Sequence, residues 1–409
     1  MLTVETALEN ILRHAVQLSS ERVSILDAAG RALAEEVRAR HDLPPFDNSA
    51  MDGYAVIAAD IRTARLESPV HLAVIEDIPA GHAPTSTVGA RQAARIMTGA
   101  PMPAGADAVV PVELTTDPGD SSALPAEIEI LEPVPTAANI RWAGEDVRAG
   151  DVVLSPGRRL RPADIGALAG LGYSEVSVVR RPRVAVLSTG DELLTPEQPL
   201  QPGRIRDMNG YSLPAMIMAL GATPVRLGVA TDTVEDVRQR LLAAVDQGAD
   251  LILSSAGVSV GAYDVVKAVL EELGSVDFWK VNMRPGKPLT FGHVRGVPFL
   301  GLPGNPVSAL VTFMVFVRPL VMTLLGLDHH VHTRNVRVGE TMQSDGRQTY
   351  ARVRVEYEHG DLVAYSTGTQ SSGAISSMVK ADGLIIIPAG LREVRAGETL
   401  AFWSFDQVI

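Results

Sequence analysis

From residue 181 to 327, short apolar runs alternate with longer stretches of helical spacing. RVAVLS carries no polar alternation, the pattern of a strand covered on both faces. PVRLGVA, DLILSS, VDFWKV, LTFGHV and VPFLGL read as further strands. GYSLPAMIMALG, TVEDVRQRLLAAVDQG and YDVVKAVLEELG between them repeat apolar residues every three or four positions. This alternation predicts a doubly wound, mostly parallel sheet. A last helix begins at Pro306 and passes through SALVTFMVFVRPLVMTLLGL. Arg318 and Pro319 interrupt that run at a cost in lipid, so it reads as a buried core helix and not a membrane span.

The flanks follow other periods. Residues 1–43 read as helical, with Val4, Leu8, Ile11 and Ala15 on one face, and the pattern breaks at LPPFDNSAMDGYAV. Over 44–145, VHLAVIEDI, ADAVVPVEL and AEIEILEPV alternate between Gly and Pro punctuation and predict a β-rich unit. Residues 146–180 supply a strand (DVVLS), a helix (ADIGALAGLG) and a strand (EVSVVR). They are expected to pack back on the N-terminal helices, which makes the β-rich unit an insertion. Alternation returns over 328–409 in YARVRVEYEHGDLVAYS, DGLIIIP and ETLAFWSF, predicting a small β-barrel. The fold class expected is a multidomain α/β protein: a small N-terminal helical and mixed domain (1–43 and 146–180), an inserted β-rich domain (44–145), an α/β domain (181–327) and a C-terminal barrel (328–409).

Composition narrows the function. A net charge of −12 argues against a general binder of nucleic acid or membrane surfaces, which needs a positive field. With no cysteine, thiolate metal sites and cysteine nucleophiles are excluded. The first residues, MLTVETALENILRHAVQ, are acidic where a signal peptide is basic, and point to a cytoplasmic protein.

Against that acidic background, KVNMRPGKP collects Lys280, Arg284 and Lys287 within eight residues. Ligands of open α/β sheets bind beyond the carboxyl ends of the strands. Every predicted strand there ends in a polar loop. STGDE follows RVAVLS and offers Glu192; TDT follows PVRLGVA and offers Asp232; AGVSVGAYD follows DLILSS and offers Ser259 and Asp264. LPGNPVS follows VPFLGL and opens a helix, with Pro303, Pro306 and Ser308. Taken alone, Asp232 reads as a helix cap. Cations and carboxylates on one rim together suit a phosphate-bearing substrate with Mg²⁺. In the β-rich unit, Asp52 in AMDGYA and Thr98 in RIMTGAP stay open between structure and function. DHHVH (328–332) reads as a solvated linker, and Trp142, Trp279 and Trp403 as packing residues.

PPFDNSAMDGYAV, MTGAPMPAGADAVVPVE, STGDEL, GVSVGAYD, FWKVNMRPGKP and LPGNPVSA occur in an order that closely resembles the MoeA family, the molybdopterin molybdenumtransferases, which include the C-terminal domain of gephyrin. The resemblance spans essentially the whole chain. It implies a homodimer of four-domain protomers in which molybdate and adenylylated molybdopterin give molybdenum cofactor and AMP, with Mg²⁺ required. It carries Glu192, Asp232 and Asp264 onto acidic positions around substrate and metal, and Lys280 and Lys287 onto basic positions of the pocket. Pro303 and Pro306 shape its rim, and Ser308 is placed to hydrogen-bond molybdate. Asp52, Thr98 and Asp146 match polar residues of the unit that faces the other subunit, so the site is expected between protomers. Arg352 and Ser372 match positions bordering the same cleft. Arg284 departs from the lysine frequent in the family and puts a planar fork where a point donor is usual.

Two other readings share parts of this pattern. A molybdopterin adenylyltransferase has a GVSVG-like loop but needs none of the other three domains. A gephyrin-like scaffold has no need of an intact anion pocket.

Overall fold

The computed structural model describes residues 1–119, 123–255 and 263–408, without the side chains of Tyr263, Asp264, Gln407 and Val408. The α/β region is built on a six-stranded sheet in the order Thr223–Ala230, Arg183–Thr189, Leu251–Ser255, Val297–Leu302, Pro288–Val294, Gly274–Lys280. The first four strands run parallel; Pro288–Val294 is antiparallel to both its neighbours. Side chains alternate across a strand, and here both faces are covered. Val184 and Val186 enter one core with the helices Asn209–Ala219 and Pro306–Thr312, and Ala185 and Leu187 enter the other with Val234–Asp246. That double burial is why RVAVLS lacks alternation.

The long apolar helix is a core element, buried along nearly all of 306–324. It is not one regular helix. Pro306–Thr312 passes into a π-helical turn at Phe313–Val317 before Arg318–Leu324. Pro319 lacks an N–H and its ring crowds the carbonyl four residues earlier, and a wider turn just ahead of it relieves that conflict.

The N-terminal expectation needs correction. Only Val4–Leu12 is α-helical within 1–43. Ser20–Ser24 is a strand paired antiparallel with Glu175–Val179, and Val37–Arg38 pairs with Val152–Leu154. Ala28, Leu33 and Val37 share a core with Leu154, Leu168 and Val176. Tertiary pairing overrides the helix propensity of this Ala-, Leu- and Glu-rich stretch. The 146–180 segment therefore packs on strands as well as on a helix.

The stretch between these two segments carries a five-stranded sheet in the order Ala108–Pro111, Gly53–Val56, Gln92–Ile96, Val70–Ile78, Glu127–Ile130. The C-terminal strands close into a barrel, because Gln348–Glu358 pairs with both Asp361–Ser366 and Gly383–Ile387. Met283 and Arg284 pair parallel with Gln348 and Thr349. The cationic turn of the α/β region is thus stitched to the barrel.

Candidate active site

Two cavities meet at the LPGNP turn. One, of about 310 Å³, is lined by Thr189 and Glu192 from the first strand end, Asp207 and Asn209 from the start of the next helix, Ser255, and Gly304 to Pro306. The other, of about 420 Å³, is lined by Arg284, Lys287, Pro303, Asn305, Ser308, Arg347, Gln370 and Ser372 among others. Asn305 belongs to both walls. An acidic compartment and a cationic compartment therefore share one partition on one rim of the sheet.

Local geometry explains the cationic side. Gly286 turns the chain with φ +101°, and a Cβ there would lie 2.4 Å from Thr312 Oγ1. Only glycine suits a turn so placed. The turn aims Arg284 and Lys287 into the cavity, where the sole ion pair of Arg284 among the described residues is a long one, 3.9 Å to Asp345. From the barrel, the Ser372 carbonyl accepts the Val307 N–H at 3.1 Å, fixing the 369–372 loop beside Ser308.

Arg352 lies beside the cationic cavity and makes its hydrogen bonds to the barrel loop. Its side chain is buried and donates from Nε to Ser377 Oγ at 3.2 Å and from a terminal nitrogen to the Ser371 carbonyl at 3.1 Å. Burial, and then Arg284, push this guanidinium down to about 10. It lines an adjoining cavity of about 450 Å³, joined to the cationic one through Arg284, Pro285 and Gln370. Arg352 thus braces the loop that carries Ser372.

On the acidic side, Gly190 takes φ +137°, with Glu192 folded back so that a Cβ at 190 would meet its carboxylate at 2.4 Å. The Asp232 N–H donates to Asp191 Oδ1 at 3.3 Å, which draws the loops after neighbouring strands together. Thr233, not Asp232, caps the following helix through its hydroxyl. The capping reading of Asp232 is therefore withdrawn, and its exposed carboxylate accepts no hydrogen bond from a described residue. Ser259 and the side chain of Asp264, with the glycines of AGVSVG, lie outside the described residues. Lys280 is exposed at the end of its strand and lines neither cavity.

Asp52, Thr98 and Asp146 form a separate group. Asp52 Oδ1 accepts from both the Thr98 N–H and hydroxyl at 2.7 Å, and these bonds hold its carboxyl below the ordinary range. The Ala143 N–H bonds Asp47 Oδ1, the Gly144 N–H bonds the Pro44 carbonyl and the Asp146 N–H bonds the Leu43 carbonyl, which ties the exposed Asp146 to the 43–47 segment. None of the three lines the cavities at Asn305. Phe46, Met51 and Trp142 are exposed on these loops, which corrects the packing role expected for Trp142.

Asp207, Asn209, Asn305, Arg347 and Gln370 escaped the sequence reading. RDMNG looks like an ordinary helix start, and Arg347 reaches the cavity only through the pairing of residues 283–284 with the barrel. DHHVH supplies the one cluster of three metal-capable side chains among the described residues, Asp328, His329 and His330, in an exposed connection. Asp328 Oδ1 lies 2.6 Å from His330 Nδ1 there.

Family models match in sequence order: the MoeA N-terminal region, domains I and II, over residues 2–172; the probable molybdopterin binding domain over 185–323; and the MoeA C-terminal region, domain IV, over 335–405. The chain is 42% identical over 394 residues to molybdopterin molybdenumtransferase 2 of Mycobacterium tuberculosis, covering 93% of this chain and 94% of that one. The chain belongs to the MoeA family. The Haemophilus influenzae molybdopterin molybdenumtransferase is 38% identical with complete coverage of both chains. The crystal structure of a molybdopterin biosynthesis MoeA protein from Pyrococcus horikoshii OT3 superposes with a TM-score of 0.83 at 29% identity, covering 99% of this chain and 100% of that one. All the MoeA regions are thus present here in one chain.

Proposed function

We propose that the chain is a molybdopterin molybdenumtransferase that brings molybdate to adenylylated molybdopterin and releases AMP as molybdenum enters the pterin dithiolate. The observation that carries this reading is the shared Asn305 wall, which sets an anion-binding compartment beside a carboxylate-bearing one. An anhydride substrate and an oxyanion both need charge compensation before they approach. Arg284 and Lys287 supply it for the oxyanion, with Ser308 and Ser372 as hydrogen-bonding groups, while Arg347 in the same wall is paired with Asp345.

The donor set fits Mg²⁺. Glu192 lines the acidic cavity and Asp232 lies outside its wall, on the neighbouring loop that bonds Asp191; both offer only oxygen, and neither has a cation partner among the described residues. Mg²⁺ typically takes one or two carboxylates and completes its shell with water and substrate phosphate. Glu192 and Asp232 would hold it, together with Asp264 as the family resemblance implies. When bound, the ion neutralises the phosphoanhydride. The protein's remaining work is positioning: Asn305 and Pro306 separate the two reactants, and the Arg352-braced loop keeps Ser372 against the oxyanion.

The protein acts in this reading as a cytoplasmic homodimer. Asp52, Thr98 and Asp146 lie on loops that also expose Phe46, Met51 and Trp142, a mixture suited to a partner surface. Facing the α/β rim of a second copy, they would complete the site.

The test is AMP release from adenylylated molybdopterin with molybdate varied. Lys287→Ala should raise the molybdate KM by about 10- to 100-fold, the worth of one charge-assisted hydrogen bond. Asp232→Ala should slow AMP release; a wild-type rate in that variant would refute its assigned role.

A further inference from the structure

The acidic cavity holds two buried polar atoms that no described residue partners. Thr189 and Asn209 are 1% and 7% exposed, and neither Thr189 Oγ1 nor Asn209 Oδ1 has a hydrogen-bond partner among the described residues. Both residues line the same 310 Å³ space. Leaving a buried polar atom unpaired forfeits the hydrogen bonds it made to water, so two in one cavity call for a cause.

The amide of Asn209 cannot be turned to escape this. Its Nδ2 donates to the Gly304 carbonyl at 2.8 Å, and a flipped amide would set oxygen against oxygen there. Oδ1 is therefore a fixed acceptor. Glu192 and Asp207 add acceptors to the same wall, and one Asp207 oxygen already takes the Gly210 N–H at 2.8 Å. Arg206 also lines the space, but its guanidinium bonds the Pro196 carbonyl at 2.8 Å. The cavity is rich in acceptors, the converse of its neighbour.

We infer that Thr189 and Asn209 form an acceptor edge that reads hydrogen-bond donors of the nucleoside, the ribose hydroxyls or the base amine, in the nucleotide-capped substrate. This rests on the proposed reaction and deepens it. The oxyanion is directed to Arg284 and Lys287, and the donor-bearing neutral groups of the nucleoside to Thr189 and Asn209. Asn209 also ties the helix start to the LPGNP turn, so filling the acceptor edge steadies the partition between the reactants.

An unpaired buried hydroxyl has an unusual signature. Replacing it with a methyl group should not cost stability. The experiment compares wild type, Thr189→Val and Asn209→Ala for binding of adenosine, which carries no phosphate, and separately of molybdate, with a melting temperature for each. Thr189→Val should weaken adenosine about tenfold, the scale of one hydrogen bond. Its melting temperature should be equal to or above that of wild type, and its molybdate affinity unchanged. Asn209→Ala should weaken adenosine at least as much. Adenosine affinity equal to wild type in both variants, or no adenosine binding by wild type, would overturn the inference. A chain that binds adenosine through these residues yet releases no AMP with molybdate would instead refute the proposed reaction.

Discussion

Asp52 shows how one carboxylate reveals its setting. Two hydrogen bonds from Thr98, one from the backbone and one from the hydroxyl, favour its charged form. A carboxyl whose folded pKa is depressed contributes stability that is present above the unfolded value, about 3.9. That contribution is lost as pH falls through the folded value. Thr98→Val removes the hydroxyl bond and keeps the N–H, so Asp52 should titrate at a higher pH when followed by carboxyl-carbon NMR. An unchanged titration would mean that the hydroxyl contributes nothing. The opposite case is Arg352, whose charge is buried and which acts through carbonyl groups instead of a carboxylate. The positions of Glu192, Lys287 and Ser308 at cavity walls were legible in the sequence, because each follows a strand whose apolar run is plain. The bracing role of Arg352 was not, since it depends on contacts 17 to 25 positions along the chain.

At the scale of elements, the cation turn depends on Gly286. Gly286→Ala would add both an unfavourable φ and a clash with Thr312 Oγ1. The expected loss is about 1–3 kcal/mol of stability by denaturant unfolding, with weakened molybdate binding. Adding Thr312→Ala should restore part of the stability but not all, because the φ strain stays. Full recovery would show the strain to be negligible, and no recovery would show the clash to be absent. Elements with a clean period were readable in advance: the strand at 183–189, the helix at 234–246 and the alternating barrel strands all lie where hydrophobic spacing puts them. The stretch after Leu12 was misread because its composition favours helix while its partners, residues 175–179 and 152–154, lie far along the chain. The π turn before Arg318 was invisible for another reason, since apolar content is the same in a regular and a widened helix.

For the whole molecule, the fold assembles the site from distant parts. The barrel meets the α/β sheet through the pairing of residues 283–284 with 348–349, so the anion compartment exists only when both regions are folded. Asp52 and Asp232 lie on loops flanking strands of different sheets, and the dimer proposal predicts that they work in trans. Mixing and refolding two inactive variants, Asp52→Ala and Asp232→Ala, should recover up to about a quarter of wild-type activity, since half the dimers would carry one intact site. No recovery, with dimers present in sedimentation, would place both residues in a site within one subunit. The most direct measurement for the account as a whole is AMP appearance from adenylylated molybdopterin, with and without molybdate, on the wild-type chain. The account predicts AMP release that rises with molybdate and saturates, with molybdenum retained on the pterin. Release indifferent to molybdate, or net transfer of AMP from ATP onto molybdopterin, would contradict it.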